Sequence, residues 1–123
     1  MSSNMYVEEK DIGNIRISDE VIKTLACLSA AEIDGVHGLL GSLSEDVNEK
    51  LGRRKLTKGV KVHFEENRAY INISIKIEYG YKIPEVSYKI QEKVKSSIES
   101  MTELYVDSIN VYIQGINFPG ENK

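Results

Sequence analysis

Side chains that could act as nucleophiles or metal ligands are few in this chain of 123 residues. Cys27 is its only cysteine, and its two histidines, His37 and His63, lie 26 residues apart. A reactive thiol needs a cationic neighbour or a helix start, whereas Cys27 lies within the apolar segment 25–28. Zinc sites need closely spaced cysteine or histidine pairs. The sequence therefore predicts a buried, inert thiol and no metal site.

Sequence motifs for nucleotide or acyl chemistry are also absent. No glycine-rich loop ends in Gly-Lys-Ser or Gly-Lys-Thr, and no strand-to-helix turn has the nucleophile-elbow pattern. The carboxylates closest to an apolar setting, which would raise their pKa values, are Glu32 and Asp34 at the end of an apolar stretch. We therefore expect no enzymatic activity, no catalytic residue and no bound cofactor.

An alternating segment from Gly59 to Gly80 predicts the element that the rest of the chain covers. Apolar and polar residues alternate on both sides of a polar turn, which is typical of the half-buried strands of a β-hairpin. With the turn centred on Asn67 and Arg68, the expected pairs are Phe64 with Ile71, Val62 with Ile73 and Val60 with Ile75. The other face carries Lys61, His63, Glu65, Asn72, Ser74 and Lys76. We expect helices on the apolar face and water or a polar partner on the other.

Two segments have the apolar periodicity of helices. The first, over 18–34, has Ser18 as N-cap, acidic residues in its first turn and a stop at Asp34-Gly35. It is apolar around most of its circumference, so either other segments of the same chain or a second copy should cover it. The second, over 84–103, begins at Pro84 and has a single buried stripe.

The remaining elements complete a single small domain. We expect short strands over 15–17 and 108–114, a glycine-punctuated apolar loop or edge strand over 36–43, and a short helix over 45–51. The predicted fold is α+β: a two-layer domain in which two long helices cover one face of a four-stranded mixed sheet, with a split β-α-β order favoured. The domain spans 12–116, between a flexible N-terminal segment over 1–11 and a flexible tail over 117–123.

Charge is distributed unevenly, although the net charge is only −3. Residues 1–49 hold ten acidic and three basic residues, 50–61 hold six basic and no acidic ones, and 62–123 hold nine acidic and seven basic ones. The basic run forms the candidate interaction patch: Lys50, Arg53, Arg54, Lys55, Lys58 and Lys61. It is either a solvated connector or a docking patch for an acidic partner, for the acidic first part of another copy, or for anionic lipid headgroups.

An RNA-binding interpretation follows from the order of the predicted elements. Strand, helix, a Gly-x-x-Gly loop (Gly38 to Gly41), short helix, two strands and helix is the order of one type of KH domain. In that module the loop clamps a phosphate backbone, but here both inner residues are leucine and the chain is acidic overall. RNA binding is therefore only a minor alternative, and we do not expect nucleic acid as a partner.

Several motifs in the same order resemble the alkaline-shock, or general-stress, protein family of Gram-positive bacteria, over about residues 12–116. They are GNIRISDEVIKTLACLSAAEIDGVHGL, the KGVKV entry to the hairpin, IPEVSYKIQEKVKSSIESMT and VDSINVYIQGI. The resemblance implies a non-enzymatic protein of cell-envelope homeostasis and envelope stress response that acts as an interaction scaffold, in some members held at the membrane by a small integral membrane partner. Other members are associated with fatty-acid synthesis, which implies the alternative of a regulator of acetyl-CoA carboxylase.

The expected compartment is the cytoplasm. A single cysteine suits a reducing environment. The first residues lack the pattern of a signal peptide, and no apolar run reaches the roughly 18 residues that span a bilayer. We expect no direct membrane insertion and a peripheral membrane position only through a partner. The resemblance implies a protein partner that is either a small integral membrane anchor protein or acetyl-CoA carboxylase subunits, and a second copy of the chain is a further candidate.

Overall fold

A computed structural model describes residues 5–39 and 57–119. Its elements, in chain order, are β1 (Met5–Lys10), β2 (Gly13–Ser18), α1 (Asp19–Ala31), β3 (Val36–Leu39), β4 (Val60–Glu65), β5 (Arg68–Glu78), α2 (Ile83–Met101) and β6 (Tyr105–Asn117). Both long helices lie where the sequence predicts them. The predicted helix over 45–51 lies outside the described residues.

The four-stranded sheet is built around β5. Along one edge of β5, β6 runs parallel from the pair Arg68 and Tyr105 to the pair Glu78 and Asn117. The other edge is shared by two antiparallel strands, β4 beside the first half of β5 and β3 beside the second half. The sheet is therefore mixed, as predicted. The preference for a split β-α-β order was wrong, because β5 and β6 are direct neighbours.

The two helices cover one face of this sheet and contact each other there. Alternate residues of β5 point into the layer between sheet and helices and are fully buried: Ile71, Ile73, Ile75 and Ile77. The stripe of α2 that meets them is buried as well: Val86, Ile90, Val94 and Ile98. Each such side chain contributes about 1.5–3 kcal/mol when it leaves water. The predicted α+β, two-layer architecture is confirmed.

The β4–β5 hairpin has a different register from the predicted one. Phe64 lies opposite Ala69, Val62 opposite Ile71 and Val60 opposite Ile73. The turn is centred on Glu66 and Asn67, one residue earlier than predicted, so every pair shifts by two residues. A shift of two keeps each side chain on its own face. The predicted faces are therefore right although the predicted pairs are wrong.

The first strands also differ from the prediction. We expected residues 15–17 to join the main sheet and no element before residue 12. Instead β2 pairs with β1 in a separate antiparallel ribbon, and β3 takes the fourth place in the main sheet. Tyr6 of β1 is buried against the core, which attaches the ribbon to the domain. A single buried aromatic residue is too weak a sequence pattern to predict a strand.

Helix α1 is covered on one side only within the described chain. Ser18 caps it as predicted, because its hydroxyl oxygen accepts a hydrogen bond from the Val21 amide at 3.4 Å. The buried apolar residues are Ile22, Ala26, Cys27 and Ala30, whereas Val21 and Leu28 are about half exposed. Burial within the chain thus explains most of the apolar character of this helix, but not those two residues.

Candidate interaction face

The structure describes two members of the basic run. Lys58 and Lys61 are both exposed, and Lys61 points from β4 toward the sheet face that the helices leave open. The other members, Lys50, Arg53, Arg54 and Lys55, lie outside the described residues. Lys58 and Lys61 line a shallow groove of about 390 Å³ on the open face, together with Gly59, Asn72, Ser74 and Tyr112. We refer to these six residues as the lysine groove.

Strand pairing positions each side of the lysine groove. Lys61 lies directly opposite Asn72, and the Ser74 amide donates to the Gly59 carbonyl at 2.9 Å, which holds the start of β4 against β5. On the other side, Tyr112 of β6 lies beside Ser74 in the parallel pair. These side chains bring hydroxyl, amide and ammonium groups to one surface, so the groove is rich in hydrogen-bond donors.

Asn110 fixes the side chain of Asn72 beside the groove. Its Nδ2 donates to Asn72 Oδ1 at 2.9 Å. This bond uses one of the two acceptor positions of the Asn72 oxygen, and the Asn72 N–H groups make no hydrogen bond within the described residues. This bond further supports the donor character of the surface.

No carboxylate in the described part of the chain neutralises the positive charge of the groove. Within residues 5–39 and 57–119, neither Lys58 nor Lys61 makes an ion pair. Two carboxylates on the same face are engaged elsewhere. Glu65 contacts His63 at 3.1 Å, and Glu78 contacts His37 at 2.9 Å. The groove is thus a local positive patch on an acidic protein.

Glu78 marks the far end of the open face. A hydrogen bond from Asn117 Nδ2 at 3.0 Å, followed by the one from His37, holds the pKa of Glu78 below its usual range. This carboxylate therefore stays ionised and satisfied. It is not positioned to pair with the groove lysines.

The residues with nucleophilic or metal-binding chemistry do not converge. Cys27 is buried in α1, and burial, with Glu20 second, raises the pKa of its thiol to about 12. His37 and His63 lie on different strands, each beside its own glutamate. In the part of the chain that the structure describes, no three His, Cys, Asp or Glu side chains form a metal-binding group.

The Gly-x-x-Gly segment is not a loop over its described part. Gly38 and Leu39 belong to β3 and pair with Lys76 and Ile75 of β5. A phosphate clamp needs an exposed loop between two helices, and this backbone is instead part of a sheet. Gly38 and Leu39 therefore do not form the loop that the KH interpretation expects. The second half of the segment lies outside the described residues.

Sequence reasoning found part of the groove and missed part. Alternation along the hairpin placed Lys61, Asn72 and Ser74 on the polar face, and the charge pattern marked Lys58. Tyr112 was missed because it joins the site only through the parallel register of β6 on β5. The register at Tyr112 follows a bulge near Tyr70, which no local sequence pattern shows.

The fold and this face define a small α+β domain whose donor-rich sheet surface suits binding. The chain belongs to the alkaline-shock protein family, described as having a cell envelope-related function, with a match to the family over residues 7–118. The resemblance inferred from the sequence motifs is thereby confirmed.

Relatives in Gram-positive bacteria support this assignment. The chain is 33% identical over 111 residues to the uncharacterized protein YqhY of Bacillus subtilis, covering 90% of this chain and 82% of that protein. It is 38% identical over 118 residues to the uncharacterized protein Spy1614 of Streptococcus pyogenes, covering 94% and 97%. A stress response regulator gls24 homolog of Streptococcus pyogenes is 26% identical over 105 residues, covering 85% of this chain and 59% of that protein. A role in stress response or at the cell envelope is thus supported.

Among solved structures, a MamM CTD has a TM-score of 0.49 and 11% identity, covering 79% of this chain and 95% of that one. Neither helix described here is both long and apolar enough to cross a membrane.

Proposed function

We propose that this protein is a non-enzymatic interaction scaffold of cell-envelope homeostasis and stress response, and that its lysine groove docks an acidic segment of a protein partner. The observation that carries this proposal is the pair Lys58 and Lys61, which lack a carboxylate partner in the described chain and lie among neutral hydrogen-bonding groups. The family's cell envelope-related function supports the setting. The protein acts in the cytoplasm and reaches the membrane through its partner.

Charge favours a compact acidic partner over a nucleic acid. The described positive patch is short, and Glu65 and Glu78 lie on the same face. A phosphate backbone carries one negative charge per strand about every 3.4 Å, so it would extend past the patch and meet these carboxylates. A short acidic peptide can place two or three carboxylates on the lysines and accept hydrogen bonds from Asn72, Ser74 and Tyr112.

The test is affinity capture of the tagged protein's partners from its native cell. We compare the wild type with a Lys58→Glu, Lys61→Glu variant and a matched control, Lys82→Glu, Lys89→Glu, whose exposed lysines lie before and on α2. The proposal expects a protein partner that the wild type and the control retain and the groove variant loses. Since exposed charges contribute little to stability, both variants should fold normally.

The identity of the captured protein separates the two roles of the family. Capture of a small integral membrane protein supports the role of an envelope scaffold. Capture of acetyl-CoA carboxylase subunits would instead indicate that the protein regulates lipid synthesis. With the purified partner, wild-type association should slow as salt rises, and the groove variant should associate at least about tenfold more slowly with little salt dependence. Capture that the lysines do not affect, or capture of RNA, overturns the proposal.

A further inference from the structure

The outer edge of β6, which faces away from β5, is a long open edge of the sheet within the described chain. One side of β6 pairs with β5 along its whole length, and no described strand pairs with the other. At thirteen residues β6 is also the longest of the described strands. An open edge of this length presents a row of main-chain donors and acceptors, which proteins usually protect with charges, prolines or a covering helix.

Helix α2 protects only the first half of this edge. Gln91 Nε2 donates to the Ile109 carbonyl at 2.9 Å, and Lys95 Nζ donates to the Val106 carbonyl at 3.0 Å. Glu99 completes the cap by accepting from the Val106 amide at 2.8 Å. Together these bonds occupy main-chain groups of β6 up to Ile109.

Beyond Ile109 the edge has no such protection from residues 5–39 and 57–119. From Asn110 to Asn117, no described side chain bonds to the main chain of β6. This segment, NVYIQGIN, contains no charged residue and no proline. A bulge near Gln114 interrupts its pairing with β5 and leaves a regular stretch from Asn110 to Ile113.

The helix-side face of this edge is apolar. Val111 and Ile113 are partly buried, and Ile116 is 41% exposed. The contacts of Gln91 with Ile109 and of Lys95 with Val106 show that α2 runs antiparallel to β6. Tyr88, three residues before Gln91 on the same helix face, therefore lies toward the unprotected half and is 59% exposed. An apolar strip thus borders the open main chain.

We propose that a second copy of this chain pairs antiparallel with this edge, with Val111 of each copy at a two-fold axis perpendicular to the sheet. That axis keeps the helix layers of both copies on the same side. The apolar strips of the two copies then contact each other, and the polar residues of both copies stay on the open face. The paired segments carry no charge, so the two copies do not repel each other there.

The pairing is compatible with the lysine groove of each copy. The β4 strands of the two copies would be separated by five strand spacings, about 24 Å. This exceeds the screening length of about 8 Å at physiological salt, so the two positive patches do not oppose association. The inference goes beyond the proposed function, because it concerns the open main-chain edge of β6 and a different partner, although Tyr112 of the lysine groove lies on the same strand.

Sedimentation equilibrium of the full chain tests the pairing. The monomer mass is 13.9 kDa, and the wild type should approach twice that mass at tens of micromolar, as expected of roughly micromolar affinity for a small interface. Asn110→Lys and Asn110→Asp each place like charges beside the axis and should weaken dimerisation at least about tenfold. An equimolar mixture of the two variants should restore it at low salt.

Asn14→Lys is the matched control, because it adds the same charge at an exposed position of β2, away from β6, and should dimerise like the wild type. Circular dichroism establishes that every variant is folded. A wild type that stays monomeric over this range overturns the proposal, and so does a dimer that both Asn110 variants leave intact. Since Lys58→Glu, Lys61→Glu leaves this edge unchanged, the dimer and the groove succeed or fail separately.

Discussion

The ring of Tyr81 occupies the space that a side chain on residue 35 would need. Gly35 lies between α1 and β3 with a φ of 98°, and a Cβ there would come within 2.7 Å of Tyr81 Cδ2 and 3.0 Å of Val86 Cγ2. The Gly35 carbonyl also accepts a hydrogen bond from the Glu78 amide at 2.8 Å. The turn after α1 is thereby packed against the beginning of α2 and the end of β5.

Gly35→Ala should therefore be strongly destabilising. The left-handed backbone conformation costs a residue with a Cβ about 1–2 kcal/mol, and the contact with Tyr81 adds a further overpacking cost of about 1–3 kcal/mol. We expect urea unfolding to show a loss of about 2 kcal/mol or more. Gly38→Ala is the control, because no atom lies within 4 Å of its Cβ position. Equal effects of the two substitutions would contradict this explanation.

The hairpin turn contains a residue in an unfavourable conformation. Glu66 has a φ of 61° and is the only residue other than glycine with a positive φ in the described chain. It is the first central residue of a two-residue loop, where a positive φ confined to that position is typical of a type II′ turn and favours glycine. Glu66→Gly should raise the free energy of unfolding by about 0.5–1 kcal/mol.

Urea denaturation checks this prediction, with Asn67→Gly as the neighbouring control. Asn67 does not have a positive φ, so glycine there relieves no strain and should be neutral or destabilising. If Glu66→Gly were destabilising, the turn would not be strained in the way that its φ indicates.

The same turn shows what the sequence could and could not predict. Alternation of apolar and polar residues fixes which face each side chain occupies, so the burial of Ile73 and Ile75 was predictable. The loop position was not, because Asn67 is a common turn residue and Glu66 is not. Tertiary pairing of Val60 with Ile73 outweighs that local preference. Both helices were predictable, since their periodicity and N-terminal signals agree.

At the candidate site as well, long-range strand pairing limited what could be predicted from the sequence. Lys58 and Lys61 were found from charge alone, but the groove also needs Tyr112, which lies 38 residues beyond Ser74 in sequence. The position of β6 beside β5 depends on how α2 crosses the sheet, and no local pattern contains that information. The exposed edge of β6 could not be predicted from the sequence for the same reason.

Acid should weaken the contact between α2 and β6. The hydrogen bond from Lys95, and then that from the Val106 amide, hold the pKa of Glu99 below its usual range. A carboxylate with a lowered folded-state pKa stabilises the protein above its unfolded pKa of about 4.3 and loses that effect as pH falls through the folded value. At pH 7, Glu99→Gln should lower the unfolding free energy by about 1 kcal/mol.

Urea unfolding of wild type and Glu99→Gln from about pH 7 to about pH 3 measures this effect. The difference between the two proteins should shrink below about pH 5, since protonation removes the charge from the wild type too. Glu9→Gln serves as the control, because Glu9 is exposed on β1 and makes no ion pair within the described chain; its effect should stay within about 0.5 kcal/mol. A pH-independent difference for Glu99 would show that shape, and not charge, matters there.

Cys27 should be protected from alkylation as long as the protein is folded. Its side chain is 1% exposed, and burial first, with Glu20 second, raises the pKa of the thiol to about 12. With that pKa, only about one thiol in ten thousand is ionised at pH 8, and the thiolate is the reactive form. Iodoacetamide labelling followed by mass spectrometry should therefore be at least about a thousandfold slower in the native protein than in concentrated guanidinium chloride.

Ile22→Ala, which opens a cavity in the core around α1, should accelerate native labelling by raising the population of open states. Rapid labelling of the folded wild type would mean that α1 opens far more readily than its packing implies.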